Sequence, residues 1–239
     1  MLKFIILTDS IGNPRSFPVT ELTELEETYP YLLRSYFKEA IFWQLSYGNV
    51  SSEQLIRQAG AYLTHWNPDY IIVQSGIIDS RPEAFSEFQK TVMNKMSGPL
   101  ARRLRKTFYN PSWIKKRQIS RTSKASFKKT AKKLRLLFDD AKIFWLEICA
   151  ADAYERARPG VQRRIIKYNQ ILEGIYGERL IPVKEKLLEV EGFNADNLHW
   201  NKRGHEVVSK ILINRICENE NEGKRKKSDL HHRRDGLLA

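Results

Sequence analysis

The opening run of the chain constrains its fold more than any other stretch. Leu2, Phe4, Ile5, Ile6 and Leu7 form a nearly continuous apolar segment that stops abruptly at Thr8-Asp9-Ser10-Ile11-Gly12-Asn13-Pro14. A run this short, apolar at successive positions rather than alternate ones, fits a strand buried on both faces, as in a parallel sheet. Gly12 and Pro14 break it, so Ser10 falls on the turn just past the strand's carboxyl end, the rim where open α/β sheets bind ligands. A hydroxyl at that rim becomes a nucleophile only if a base is near. A lone serine at such a turn reads first as a helix N-cap, so a chemical role for Ser10 depends on what the other strand ends carry.

The remaining chain alternates in the same manner. Residues 21–39 carry apolar side chains at helical spacing around Pro30. Residues 41–45 form a second short strand that runs into Ser46-Tyr47-Gly48-Asn49. Ser51 and Gln54 then have capping-box spacing at the head of an amphipathic helix that ends at Asn67-Pro68. Residues 69–74 are a third strand, ending in Ser75-Gly76-Ile77-Ile78-Asp79, and residues 83–96 read as helical. Residues 141–148 and 180–183 are the fourth and fifth strands; Pro182 suits a sheet edge. A last helix is expected over 202–217. Strands alternating with helices imply right-handed βαβ crossovers and a flavodoxin-like three-layer α/β sandwich with a parallel sheet of about five strands. One domain over residues 1–217 is expected, with the charged residues 218–239 as a disordered tail.

The net charge of +13 is unevenly placed. Residues 101–135 hold fourteen Lys and Arg and no Asp or Glu, more positive charge than the whole chain, so the rest is close to neutral. The segment is expected to be a basic helical insert over about 97–138, lying between the third and fourth strands where it can fold over the rim. Within it, Phe127, Ala131, Leu134 and Phe138 share one helical face. Its Lys/Arg face suits an anionic glycan or an anionic membrane surface. Nucleic acid ranks lower, because no nucleic-acid-binding motif accompanies the charge. Two cysteines, Cys149 and Cys217, give neither a disulfide framework nor metal-ligand spacing and read as core thiols, and no apolar run reaches membrane-spanning length. No cofactor or metal is called for, and a cytoplasmic protein, peripheral to the membrane at most, is expected.

Four strand-end turns together carry a resemblance. Thr8-Asp9-Ser10 follows the first strand, Gly48 the second and Gly76-Ile77-Ile78-Asp79 the third, and Asp196-Asn197-Leu198-His199 precedes the last helix. In this order they resemble the blocks of the SGNH/GDSL hydrolase superfamily: Gly-Asp-Ser, Gly, Gly-x-Asn-Asp and Asp-x-x-His. Each block alone is weak; four in order are fairly specific. The resemblance implies a serine esterase with Ser10 as nucleophile, His199 as base and Asp196 orienting it. The Ser10 and Gly48 N–H groups, with Asn49 as a further candidate, would form the oxyanion site. Asp9 would shape the turn, Asp79 would brace the rim, and His205, at the start of the last helix, is expected to be structural.

Two positions depart from the pattern. Thr8 stands where the first block has Gly, and Ile78 where the third has the Asn that donates to the oxyanion. An isoleucine donates nothing, and losing one such donor costs about 100- to 1000-fold in rate. Asn49 or Gln74 is the candidate substitute. A Gly-Ile-x-Asp block also resembles some bacterial members associated with cell-surface polysaccharide synthesis, which implies an acylated carbohydrate, with O-acetyl as the acyl group, as substrate for an esterase or acyltransferase. The competing expectation is a catalytically weak or inactive binding protein on the same fold, holding an anionic glycan, membrane surface or nucleic acid through its basic segment.

Overall fold

In the computed structural model, which describes residues 1–16 and 18–235, the apolar runs become five parallel strands. They are β1 (Lys3–Thr8), β2 (Ile41–Ser46), β3 (Tyr70–Gln74), β4 (Lys142–Leu146) and β5 (Leu180–Ile181). Their order is β2-β1-β3-β4-β5, the doubly wound flavodoxin-like arrangement expected. Phe4 to Leu7 and Tyr70 to Val73 are wholly buried because β1 and β3 are flanked by strands and covered on both faces. β2 is an edge strand with Ile41 and Trp43 exposed. The other edge, β5, is two residues long and stops at Pro182, whose missing N–H cannot extend the ladder.

Helices α1 (Tyr29–Tyr36), α2 (Ser52–Tyr62), α3 (Lys124–Leu137), α4 (Val161–Tyr176) and α5 (Lys202–Asp235) flank the sheet. α1 and α5 pack together on one face; α2, α3 and α4 lie side by side on the other. Pro30 sits in the first turn of α1, where its lost N–H has no intrahelical partner to forfeit, so it starts the helix rather than kinking one. Ser51 and Gln54 form the expected capping box of α2.

The basic stretch is not one insert. Its second half is α3, the crossover helix that returns the chain from β3 to β4. Phe127, Ala131 and Leu134 are completely buried, with Phe127 against Trp145 and Tyr168. Only residues between Asp79 and α3 are additional to the sandwich. They form helices Glu87–Lys95, Gly98–Lys106 and Pro111–Arg117 and a short antiparallel ribbon pairing Pro82–Glu83 with Ile119–Ser120. Phe85 packs between Phe108 and Trp113, with the Arg117 guanidinium over its ring. The buried Glu83 ties the insert's base down, paired with Arg81 at 2.7 Å, Lys90 at 3.1 Å and Arg158 at 3.6 Å. Despite burial, these cations hold its carboxyl below the usual range.

The C-terminal expectation is also revised. α5 does not stop at Cys217 but continues to Asp235, so residues 218–235 are helical rather than a disordered tail. The stretch is rich in Glu, Lys and Arg, which propagate helices well, and contains no proline to end one. Glu220 tethers it: its Oε1 accepts from the Tyr70 hydroxyl at 2.6 Å and from Lys142 Nζ at 3.4 Å. The remaining residues of the expected tail, 236–239, lie outside the described residues.

Candidate active site

Strand register brings the turns to one level. Thr8 pairs with Ser46 of β2 and with Gln74 of β3. Ser10, Gly48 and Gly76 each lie two residues beyond that shared level, so the three turns leave the same rim side by side. The Tyr47 N–H donates to Thr8 O at 3.2 Å and the Asp9 N–H to Gln74 O at 3.0 Å, which extends the ladder into the turns. Gly12 is needed because a Cβ there would fall 2.2 Å from Thr8 Oγ1. The Thr8 side chain fills that space and donates to Gln74 Oε1 at 2.6 Å. Thr8, which replaces the glycine of the pattern, is thus accommodated by the glycine four residues on.

Ser10 follows directly on a buried carboxylate. Asp9 Oδ1 accepts from the Ile11 N–H at 3.0 Å and caps the single turn Ser10–Gly12, which fixes the backbone of the serine. Burial pushes the Asp9 carboxyl up to about 6, outweighing the Ile11 amide and the Gln74 side chain, which favour its charged form.

The Asp196–His199 loop is fastened at several points. Leu198 and Trp200 are buried beneath it, and Phe193 bridges Trp200 across it. The Ala151 N–H, beyond β4, donates to Asn197 O at 2.9 Å, and Asn194 N–H to His199 O at 2.8 Å. Asn197 takes the left-handed backbone that the turn requires, with φ of 61°. Asp196 Oδ1 accepts from the N–H groups of Leu198 and His199, both at 3.0 Å.

This scaffold brings Ser10 and His199, 189 residues apart in sequence, into a hydrogen-bonded chain. Ser10 Oγ lies 3.0 Å from His199 Nε2, and His199 Nδ1 lies 2.6 Å from Asp196 Oδ2. Burial by itself would raise the Asp196 carboxyl, but hydrogen bonds from the His199 ring and from the His199 and Leu198 N–H groups hold it well below the usual carboxylate range. Asp196 therefore holds its negative charge against Nδ1, which leaves Nε2 facing the Ser10 hydroxyl. Both Ser10 and His199 retain partial exposure and are open to a ligand.

The other singled-out residues separate cleanly. Asp79 is buried and accepts from Ser52 N–H at 2.9 Å and Ser52 Oγ at 2.8 Å, bracing the third turn against the start of α2. His205 is buried, its Nδ1 accepting from the Tyr29 N–H at 3.2 Å, and burial brings its pKa down to about 3, so it is a neutral structural imidazole. Ile78 is a core residue. Gln74, one candidate substitute donor, is engaged with Thr8 inside the rim. Asn49 has the left-handed φ of 57° and accepts from Arg121 Nη1 through its carbonyl at 3.0 Å and its side chain at 3.3 Å. Gly48 N–H lies on the same exposed turn.

One contact has no sequence signal. Arg15 Nη1 reaches Asp196 Oδ2 at 2.8 Å, so the oxygen that faces His199 also accepts from a guanidinium. Nearby, Glu21 Oε1 accepts from the Ala195 N–H at 3.0 Å, clasping the loop after the serine to the loop of the histidine. Among the described residues no group of three or more His, Cys, Asp or Glu is arranged to hold a metal ion, and no helix is long and apolar enough to cross a membrane.

No sequence-family model and no curated protein sequence matches the chain. Solved structures do. The lipase/acylhydrolase from Enterococcus faecalis superposes with a TM-score of 0.60 over 90% of this chain and 95% of its own, at 13% identity. This chain has the fold of the SGNH/GDSL hydrolases. A member of the lipolytic G-D-S-L family from Veillonella parvula matches with a TM-score of 0.56 at 12% identity, covering 90% of this chain and 97% of its own. An acetyl xylan esterase from Geobacillus stearothermophilus matches with 0.57 at 15% identity, covering 90% and 94%. The likeness spans nearly the full length of each, and the four turns that prompted the resemblance fall at the rim of the shared sheet.

Proposed function

We propose that the protein is a serine esterase acting on an acylated carbohydrate, with O-acetyl as the acyl group. The observation that carries the reading is the chain Ser10 Oγ to His199 Nε2 to Asp196, at 3.0 and 2.6 Å. Ser10 Oγ attacks the ester carbonyl carbon while its proton passes to His199 Nε2, and Asp196 stabilises the imidazolium. The carbonyl oxygen becomes an oxyanion held by the N–H groups of Ser10 and Gly48, with the Asn49 carboxamide beside them. The tetrahedral species collapses by breaking the bond to the sugar oxygen, which takes the proton from His199. An acyl-Ser10 ester remains. Water, deprotonated by the same nitrogen, attacks it and releases the carboxylate and the free serine. A sugar hydroxyl in place of that water makes the same site an acyltransferase. The acetyl xylan esterase among the structural neighbours, and the Gly76-Ile77-Ile78-Asp79 block, support a carbohydrate ester.

Hydrolysis of a short-chain aryl ester tests the proposal. Wild-type turnover is expected, and both Ser10→Ala and His199→Ala reduce it to background. Ile78 favours the second reading, a binding protein on a weakened hydrolase fold, because it removes a side-chain donor. Equal background rates in all three proteins would support that reading instead.

A further inference from the structure

A groove between α3 and α4 is lined by Lys124, Lys128 and Lys132 on one wall and Lys167 on the other, and encloses about 490 Å³. Successive lysines of the first wall are four residues apart, so they lie on one helix face about 6 Å apart along the axis. Like charges at this spacing repel one another and weaken the helix. Five lysines elsewhere, Lys90, Lys142, Lys184, Lys186 and Lys202, contact carboxylates. Among the described residues no carboxylate pairs with any of the four groove lysines, and none lines the groove. An anionic ligand seated in the groove would relieve their mutual repulsion.

The groove's position connects it to the candidate active site. α3 begins three residues after Arg121, whose guanidinium donates to Asn49 on the rim turn. The lysine row therefore starts beside the rim and runs away from it down the outer face of the sandwich. Its lining also limits what fits. No aromatic side chain is present for bases to stack on, which disfavours single-stranded nucleic acid. Gln170 supplies a carboxamide suited to hydroxyl groups, and Ile171 with Ile175 gives an apolar strip on which the faces of sugar rings can rest.

We propose that this groove is a binding track for an anionic polysaccharide, one carrying carboxylate or phosphodiester groups along its backbone. The track holds the chain while an acylated unit reaches Ser10. This inference rests on the esterase reading for its purpose but not for its test. The probe is polygalacturonate, with neutral xylan as control, titrated against the full-length Ser10→Ala protein at low salt. Binding to polygalacturonate and not to xylan is expected, weakening steeply with added salt. Replacing Lys124, Lys128 and Lys132 together by Gln is expected to weaken binding at least tenfold. In the otherwise wild-type chain, the same replacement is expected to change hydrolysis of a small neutral aryl ester less than twofold. Replacing the exposed insert residues Arg102, Arg103 and Lys106 by Gln removes the same charge and is expected to leave binding within about twofold. Equal losses from the two triple variants would overturn the track, reducing it to general attraction by a basic protein. Tighter, lysine-dependent binding of poly(dT) or of phosphatidylglycerol vesicles would overturn it in favour of those partners. Glycan binding without ester hydrolysis removes the esterase reading alone; hydrolysis without glycan binding removes the track alone.

Discussion

Asp9 should make the stability of the protein fall as pH rises through mild acidity. Its carboxyl is fully buried and its pKa is raised from 3.8 to about 6. A raised carboxylate favours the fold when protonated. Below pH 4 the group is largely neutral in both states; between about 4 and 6 the unfolded chain ionises while the folded one resists, and above 6 both are charged and the difference is constant. A gap of about two pH decades corresponds to about 3 kcal/mol, most of it lost by pH 7. Asp196 and Glu83, whose values are lowered, contribute in the opposite sense at lower pH, so wild type alone gives a mixed profile. The Asp9→Asn variant isolates the effect, since its side-chain oxygen can still accept from the Ile11 N–H. Urea unfolding of both proteins at intervals from pH 4 to 8 measures the stability difference at each pH, in which fixed costs of the substitution cancel from the slope. The variant is expected to gain about 2–3 kcal/mol on wild type across that range. Parallel profiles, or a gain with the opposite sign, would show that the Asp9 carboxyl is not a desolvated group beneath the serine.

The remaining predictions concern the site and its support. Asp196→Asn keeps the loop's shape but removes the charge that fixes the imidazole; kcat on an aryl ester should fall on the order of 10⁴-fold, with circular dichroism unchanged. Gly76→Ala combines a backbone φ of +125° with a new Cβ 2.4 Å from Ile148 Cδ1; chemical denaturation should show a loss of about 1–3 kcal/mol or more. Phe127→Ala should cost about 3–5 kcal/mol, because the ring is wholly buried against Trp145 and Tyr168; a loss below about 1 kcal/mol would mean that α3 is not part of the core.

Much of this arrangement is legible in the residues. The continuous apolar runs at Phe4–Leu7 and Tyr70–Val73 fit strands covered on both faces, and parallel pairing of those strands puts the turn residues after them at one rim. What periodicity could not separate was charge from fold. Lys124–Leu137 carries six basic residues, and its sign groups it with the Arg- and Lys-rich helices before it, yet Phe127, Ala131 and Leu134 make it a sandwich layer. The end of the last helix was hidden for a related reason: residues 218–235 lack an apolar face, but helix-forming composition and the Glu220 contact with Tyr70 carry the helix on. Ser10, Asp196 and His199 were readable because their types and order are constrained by chemistry. Arg15 was not, since nothing in its spacing relates it to a carboxylate 181 residues away.

On the proposed mechanism, Ser10 is a nucleophile activated by His199. Reaction with a fluorophosphonate, followed by mass spectrometry of the peptides, tests it without requiring the natural substrate. One phosphonyl group is expected on Ser10 in the wild-type protein, none at any site in Ser10→Ala, and greatly slowed labelling in His199→Ala. An unlabelled wild type, or a label carried by another residue, would contradict it.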